Sequence, residues 1–131
     1  MSHGVIHFEI PASDPEKLSR FYTELFGWQI IKMDMGGTAY YVTSTVESDE
    51  EGRPKEPGAI NGGMSARQSP DQGPVNFVDV ESVDDYVSKA RSLGAAVTVD
   101  KMPVPGMGWF AQLTDPDGNP FGVWQTDPSA A

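Results

Sequence analysis

The sequence predicts an α+β fold made of two βαβββ modules. Two stretches share one layout: Val5-Ile6-His7-Phe8-Glu9-Ile10 leads into a helix stopping at Gly27-Trp28, and Val75-Asn76-Phe77-Val78-Asp79-Val80 into one stopping at Gly94-Ala95. The offsets agree, with His7 to Asn76 at 69 residues, Asp14 to Ser82 at 68 and Gly27 to Gly94 at 67. After each helix come three short strand-like segments. A repeat of this length implies two copies of one supersecondary unit, each too small to bury its own apolar face.

The first strand alternates, with Ile6, Phe8 and Ile10 on one face and Val5, His7 and Glu9 on the other. Asp14 caps the first helix and Pro15 takes the first helical position, where its missing N–H costs nothing. Leu18, Phe21, Tyr22, Leu25 and Phe26 form one apolar stripe facing the sheet, and Gly27 supplies the left-handed residue past the end. Strands follow at 28–33, 38–43 and 59–66. Residues 47–57, charged and holding Pro54 and Pro57, read as a mobile solvent loop. In the second module Ser82 is the cap, with Asp84 and Asp85 favouring the positive helix start. Val83, Tyr86, Val87, Ala90 and Leu93 form the stripe, and Gly94 closes it. Strands follow at 96–99, 109–114 and 121–125. Residues 103–108 read as a rim loop, and Asp115-Pro116-Asp117-Gly118-Asn119-Pro120 as a turn whose glycine takes positive φ.

At 131 residues the chain is one domain, with module one at about 4–67 and module two at about 73–126. Nine Lys and Arg against nineteen Asp and Glu give a net charge of -10. That balance argues against nucleic acid and anionic membrane as partners, which need clustered cations. It is compatible with a cationic small molecule, though solubility alone accounts for it. With no cysteine, thiolate catalysis and thiolate metal sites are excluded. Met1-Ser2-His3-Gly4 runs straight into a strand and no apolar run has membrane-spanning length, so a cytoplasmic location is expected. Gly62-Gly63 and Gly106 lack the spacing and following helix of a phosphate loop, and no serine sits in a hydrolase elbow.

The His-Phe-Glu-Ile-Pro opening (His7 to Pro11), Phe21-Tyr22 with Phe26-Gly27-Trp28, and Asp115-Pro116-Asp117-Gly118-Asn119 together resemble the vicinal oxygen chelate superfamily. That superfamily includes glyoxalase I, bleomycin-resistance proteins and extradiol dioxygenases. The resemblance covers His7 to Gln125. It implies paired modules whose strands form a curved, partly open mixed sheet around a cup, in a homodimer.

On that arrangement His7 and Glu9 face the cup. Alternation sends Val75, Phe77, Phe121 and Val123 to the helix side and turns Asn76, Val78, Gly122 and Trp124 inward. Tyr40, Met64, Trp109 and Trp124 are candidates to line the cup, since Tyr and Trp bring apolar area with one polar tip. The resemblance implies metal ligands from the first and fourth strands of each module. His7 is the one strong candidate; Asn76, read as its counterpart, is a poor transition-metal ligand. Gly122 holds the closing position, and its counterpart falls within Asn61-Gly62-Gly63-Met64, at a glycine. A catalytic zinc takes about three protein ligands, so no metal or other cofactor is expected. Glu9 pairs with His7, with a cation or with a nearby Arg such as Arg67, and is a candidate base if burial raises its pKa. No catalytic residue is assigned, and His3, in a fraying terminus, is given no role. The expected function is a glyoxalase- or bleomycin-resistance-like protein binding a small organic molecule in the cup between modules. The alternatives are a metal-dependent glyoxalase-like lyase, isomerase or dioxygenase, and a module for assembly only.

Overall fold

The computed structural model describes residues 3–34 and 37–131. Met1 and Ser2, part of the start read above, lie outside the described residues. The element order is β1 (Val5–Ala12), α1 (Pro15–Phe26), β2 (Gln29–Asp34), β3 (Ala39–Ser44) and β4 (Gly62–Ala66). It then repeats as β5 (Val75–Asp79), α2 (Val83–Ser92), β6 (Ala96–Val104), β7 (Gly108–Thr114) and β8 (Pro120–Thr126). The α+β class and the doubled βαβββ order are therefore as the sequence predicts. The chain divides into two units, residues 7–74 and residues 75–131 with the first six.

In the first unit the strand order is β2-β3-β4-β1, with β1 parallel to β4 and the other pairs antiparallel. The Asp14 carboxylate accepts the Lys17 N–H at 3.2 Å, and Gly27 ends α1 at φ 75. Ala12, Tyr41 and Met64 form the buried core, with Ile10, Leu18, Tyr22, Ile30 and Ala39 packed against it. The predicted stripe is only half used: Leu18 and Tyr22 reach the core, whereas Phe21, Leu25 and Phe26 are exposed. Trp28 stacks on Tyr22 at 4.9 Å and lies 5.3 Å from Phe26, so the last turn rests on an indole rather than on the sheet. In the 47–57 segment a bridge joins Ser48 to Pro54, and Asn61 clamps its base by accepting the Thr45 and Val46 N–H groups.

In the second unit the order is β5-β8-β7-β6, with β5 parallel to β8. Ser82 caps α2 by accepting the Asp85 N–H at 3.1 Å. Val80, Val83, Ala111, Leu113 and Val123 are the core, covered by Tyr86, Val87, Ala90, Val97, Trp109 and Phe121. The Asp115–Asn119 turn closes through Asp115 N–H to Asn119 O at 2.8 Å, with Gly118 at φ 89. The rim loop is shorter than read, because β6 runs on through Met102 and Pro103, which pair with Phe110 and Trp109. A proline is tolerated there because β6 lies at the end of the strand order, where a missing N–H breaks no ladder. His3 is held: its Nδ1–H donates to Asp79 O and its Nε2 accepts the Tyr86 hydroxyl, each at 2.9 Å. Among the described residues no helix is long and apolar enough to cross a membrane.

Candidate functional site

Strand register gathers three of the sequence-predicted residues in the first unit. Glu9 pairs with Gly63, Gly63 with Val42, and Val42 with Ile31, one row across four strands. Ile10, Tyr41 and Met64 point to the α1 side as core members, so alternation places His7, Glu9, Tyr40 and Val42 on the opposite face. There the His7 Nε2–H donates to Glu9 Oε2, and the Tyr40 hydroxyl donates to the same oxygen. Tyr40 Oη lies 3.4 Å from His7 Nε2. Burial first, then the charge and hydrogen bond of Glu9, holds the Tyr40 hydroxyl well above the ordinary phenol range. It stays protonated and stays a donor.

Gly63 makes the arrangement sterically feasible. A Cβ there would fall 1.6 Å from Tyr40 Oη and 2.8 Å from Glu9 Oε2. The phenol therefore fills the volume a side chain at position 63 would need. Sequence reading named Tyr40 but missed its partners, because the contact depends on the register of three strands. Arg67 is not the partner of Glu9; its guanidinium donates to Ser13 Oγ and to the Gln72 and Pro11 carbonyls.

Met64 was expected to line the site and does not. It is 0% exposed in the α1-side core, where Ser19 Oγ lies 3.9 Å from its sulfur. It pairs with Ile10 in register and so shares the face of Ile10.

In the second unit the faces of β5 are the reverse of those predicted. Val123 belongs to the α2-side core and pairs with Val78, so Val78 and, by alternation, Asn76 lie on the α2 side. Phe77 faces the other way, its ring where a Cβ on Gly122 would fall, 2.3 Å from ring atoms. Phe77 also meets Phe110 edge-on at 6.2 Å. The counterpart of His7 is thus Val75 rather than Asn76, and Phe77 stands where Glu9 does. Trp109 likewise sits on the α2 side, packed on the core, with its Nε1–H donating to Asp127 Oδ2 at 2.9 Å. Lys101 Nζ lies 4.6 Å above its ring and pairs with Asp84 at 2.9 Å. Trp124 is on the face opposite α2, beside Gly108, and donates to Thr126 Oγ1 at 3.1 Å. Sequence reading missed Phe77 and Phe110 there, and Ile31 and Met33 on the site face of the first unit. A signal was present: the two helix caps differ by 68 residues, the offset that also relates His7 to Val75.

The residues do not fit a divalent metal. On this face of the first unit, among the described residues, only His7 and Glu9 are donors of the right kind, and the phenol occupies the space a ligand on β4 would need. In the second unit the equivalent positions hold Val75, Phe77 and Gly122. Among the described residues no three of His, Cys, Asp and Glu come together, short of the three protein ligands of a catalytic zinc.

Residues 6–124 match the Glyoxalase-like domain family, nearly the whole chain. CFP32 of Mycobacterium tuberculosis, named provisionally as a glyoxylase, is 27% identical over 124 residues, 91% of this chain and 44% of that protein. DnrV of Streptomyces peucetius, named for anthracycline biosynthesis, is 27% identical over 130 residues, 90% of this chain and 45% of that protein. The chain thus spans under half the length of these relatives. A variant of Streptomyces coelicolor methylmalonyl-CoA epimerase, solved with 2-nitronate-propionyl-CoA, matches with a TM-score of 0.66 at 16% identity. That match covers 95% of this chain and 99% of the other, and it speaks for the fold alone. The chain belongs to the Glyoxalase-like domain family, within the vicinal oxygen chelate superfamily whose motifs it carries.

Proposed function

We propose that this chain binds a small organic molecule on the His7–Glu9–Tyr40 face of its first unit, without a divalent metal. The observation that carries the reading is the Tyr40 hydroxyl bonded to Glu9 in the space above Gly63. A closing ligand on β4 would need that space. The polar trio is joined in one hydrogen-bonded set, and Ile31, Met33 and Val42 share its face. Apolar surface with a few convergent polar groups is the usual make-up of a small-molecule site. The names of the relatives point to small-molecule chemistry as well: a glyoxylase, an anthracycline biosynthesis protein and an epimerase solved with a CoA ester analogue.

A thermal-shift screen of planar aromatic and amine-bearing compounds against chelator-treated protein tests this. A ligand at about 100 times its Kd should stabilise by about 2.7 kcal/mol, and Tyr40→Ala should abolish the shift. Shifts that arise only once a divalent metal is restored would overturn the reading.

A further inference from the structure

Resting on that site, we infer that its ligand is an organic cation: a flat apolar body about three fused rings long, carrying a protonated amine. The row Ile31, Val42, Gly63, Glu9 crosses four adjacent strands. At ~4.8 Å between strands it is about 14 Å long. One end is apolar and open, with Ile31 51% and neighbouring Met33 47% exposed. The other end is a carboxylate. Glu9 Oε2 takes both internal hydrogen bonds, whereas Oε1 receives none from a described residue. The Glu9 side chain keeps 20% of its surface.

No Lys or Arg of this unit shares that face. The unit 7–74 holds six of them against eleven Asp and Glu. Lys17 and Arg20 are on α1, and Lys32 is on the α1 side, 3.6 Å from Glu16. Arg53 and Lys55 pair with Glu51 and Glu47 in the 47–57 segment. Arg67 is bound to Ser13, Gln72 and Pro11. A bound anion would meet the Glu9 carboxylate, to which the His7 imidazole is already committed, with no Lys or Arg of this unit on the face to offset it, whereas an ammonium gains a charge-assisted hydrogen bond. The geometry therefore selects against the polyanionic CoA ester seen in the structural neighbour.

Titration of chelator-treated protein with 9-aminoacridine and with anthracene-9-carboxylate, three-ring probes of opposite charge, tests the inference. The amine should bind at least tenfold more tightly than the carboxylate. Glu9→Gln should weaken the amine about tenfold or more. Glu50→Gln, the same charge change at an exposed position, should leave it within about twofold. Ile31→Ser should weaken the amine too. Equal or tighter binding of the carboxylate, still weakened by Ile31→Ser, would overturn the ligand class while leaving the site in place. Amine binding indifferent to both Glu9→Gln and Ile31→Ser would overturn the site itself. No binding of the amine at millimolar concentration would overturn the inference, and the thermal-shift screen then decides whether the site stands.

Discussion

A methyl group at position 63 has nowhere to go. In Gly63→Ala the new carbon would stand 1.6 Å from Tyr40 Oη and 2.2 Å from Cζ, so the phenol must leave Glu9. We expect a loss of about 1–3 kcal/mol by urea denaturation, the range for overpacked sites. In a Tyr40→Ala background the same change should cost far less, because the neighbour it strikes is gone. Equal costs in both backgrounds would show that something else fills the space. The hydroxyl itself reports through pH. Its pKa is raised in the fold, so the folded chain keeps this proton where the unfolded chain has lost it. The stabilisation is complete below about pH 10, the ordinary phenol value, and declines as pH rises past it. Tyr41, donating to Glu16 at 2.8 Å, is raised in the same direction and is common to both proteins compared. Melting temperatures between about pH 8 and pH 11 should therefore fall less steeply in Tyr40→Phe than in the parent. Superimposable slopes would mean the phenol proton is not held.

At the level of elements, Gly122 on β8, whose faces are as predicted, tests the corrected faces of β5. Its missing side chain makes room for the Phe77 ring, so Gly122→Ala should destabilise by about 1–3 kcal/mol. Had Phe77 pointed to α2, as alternation suggested, the same change would be nearly neutral in a chemical denaturation curve. Much of the rest was legible. Both helix caps, the Gly27 stop and the Asp115–Asn119 turn follow from local chemistry that needs no distant partner. The faces of β1 were readable too, because Ile6, Phe8 and Ile10 leave no choice. In β5 the run Val75, Asn76, Phe77, Val78 is apolar at both Phe77 and Val78, so composition cannot choose a face, and a slip of one residue inverts it. The caps at Asp14 and Ser82 fixed the better offset. Met64 and Trp109 went astray for a related reason: apolar residues suit a core as well as a ligand, and only register separates the two.

For the molecule as a whole, an acidic chain with this family's fold has Gly63, Val75 and Gly122 at three of the four positions where the resemblance implied chelating side chains, and the Tyr40 phenol fills the space above Gly63. On the proposed reading, His7 and Glu9 hold a ligand through hydrogen bonds and charge rather than through a bound ion. Elemental analysis of tag-free protein, incubated with Zn, Ni, Mn and Fe salts and then desalted, tests it most directly. We predict under about 0.1 equivalent of any of the four, unchanged by His7→Ala, as expected for a donor set below the usual three. One equivalent of metal that disappears in His7→Ala would contradict it.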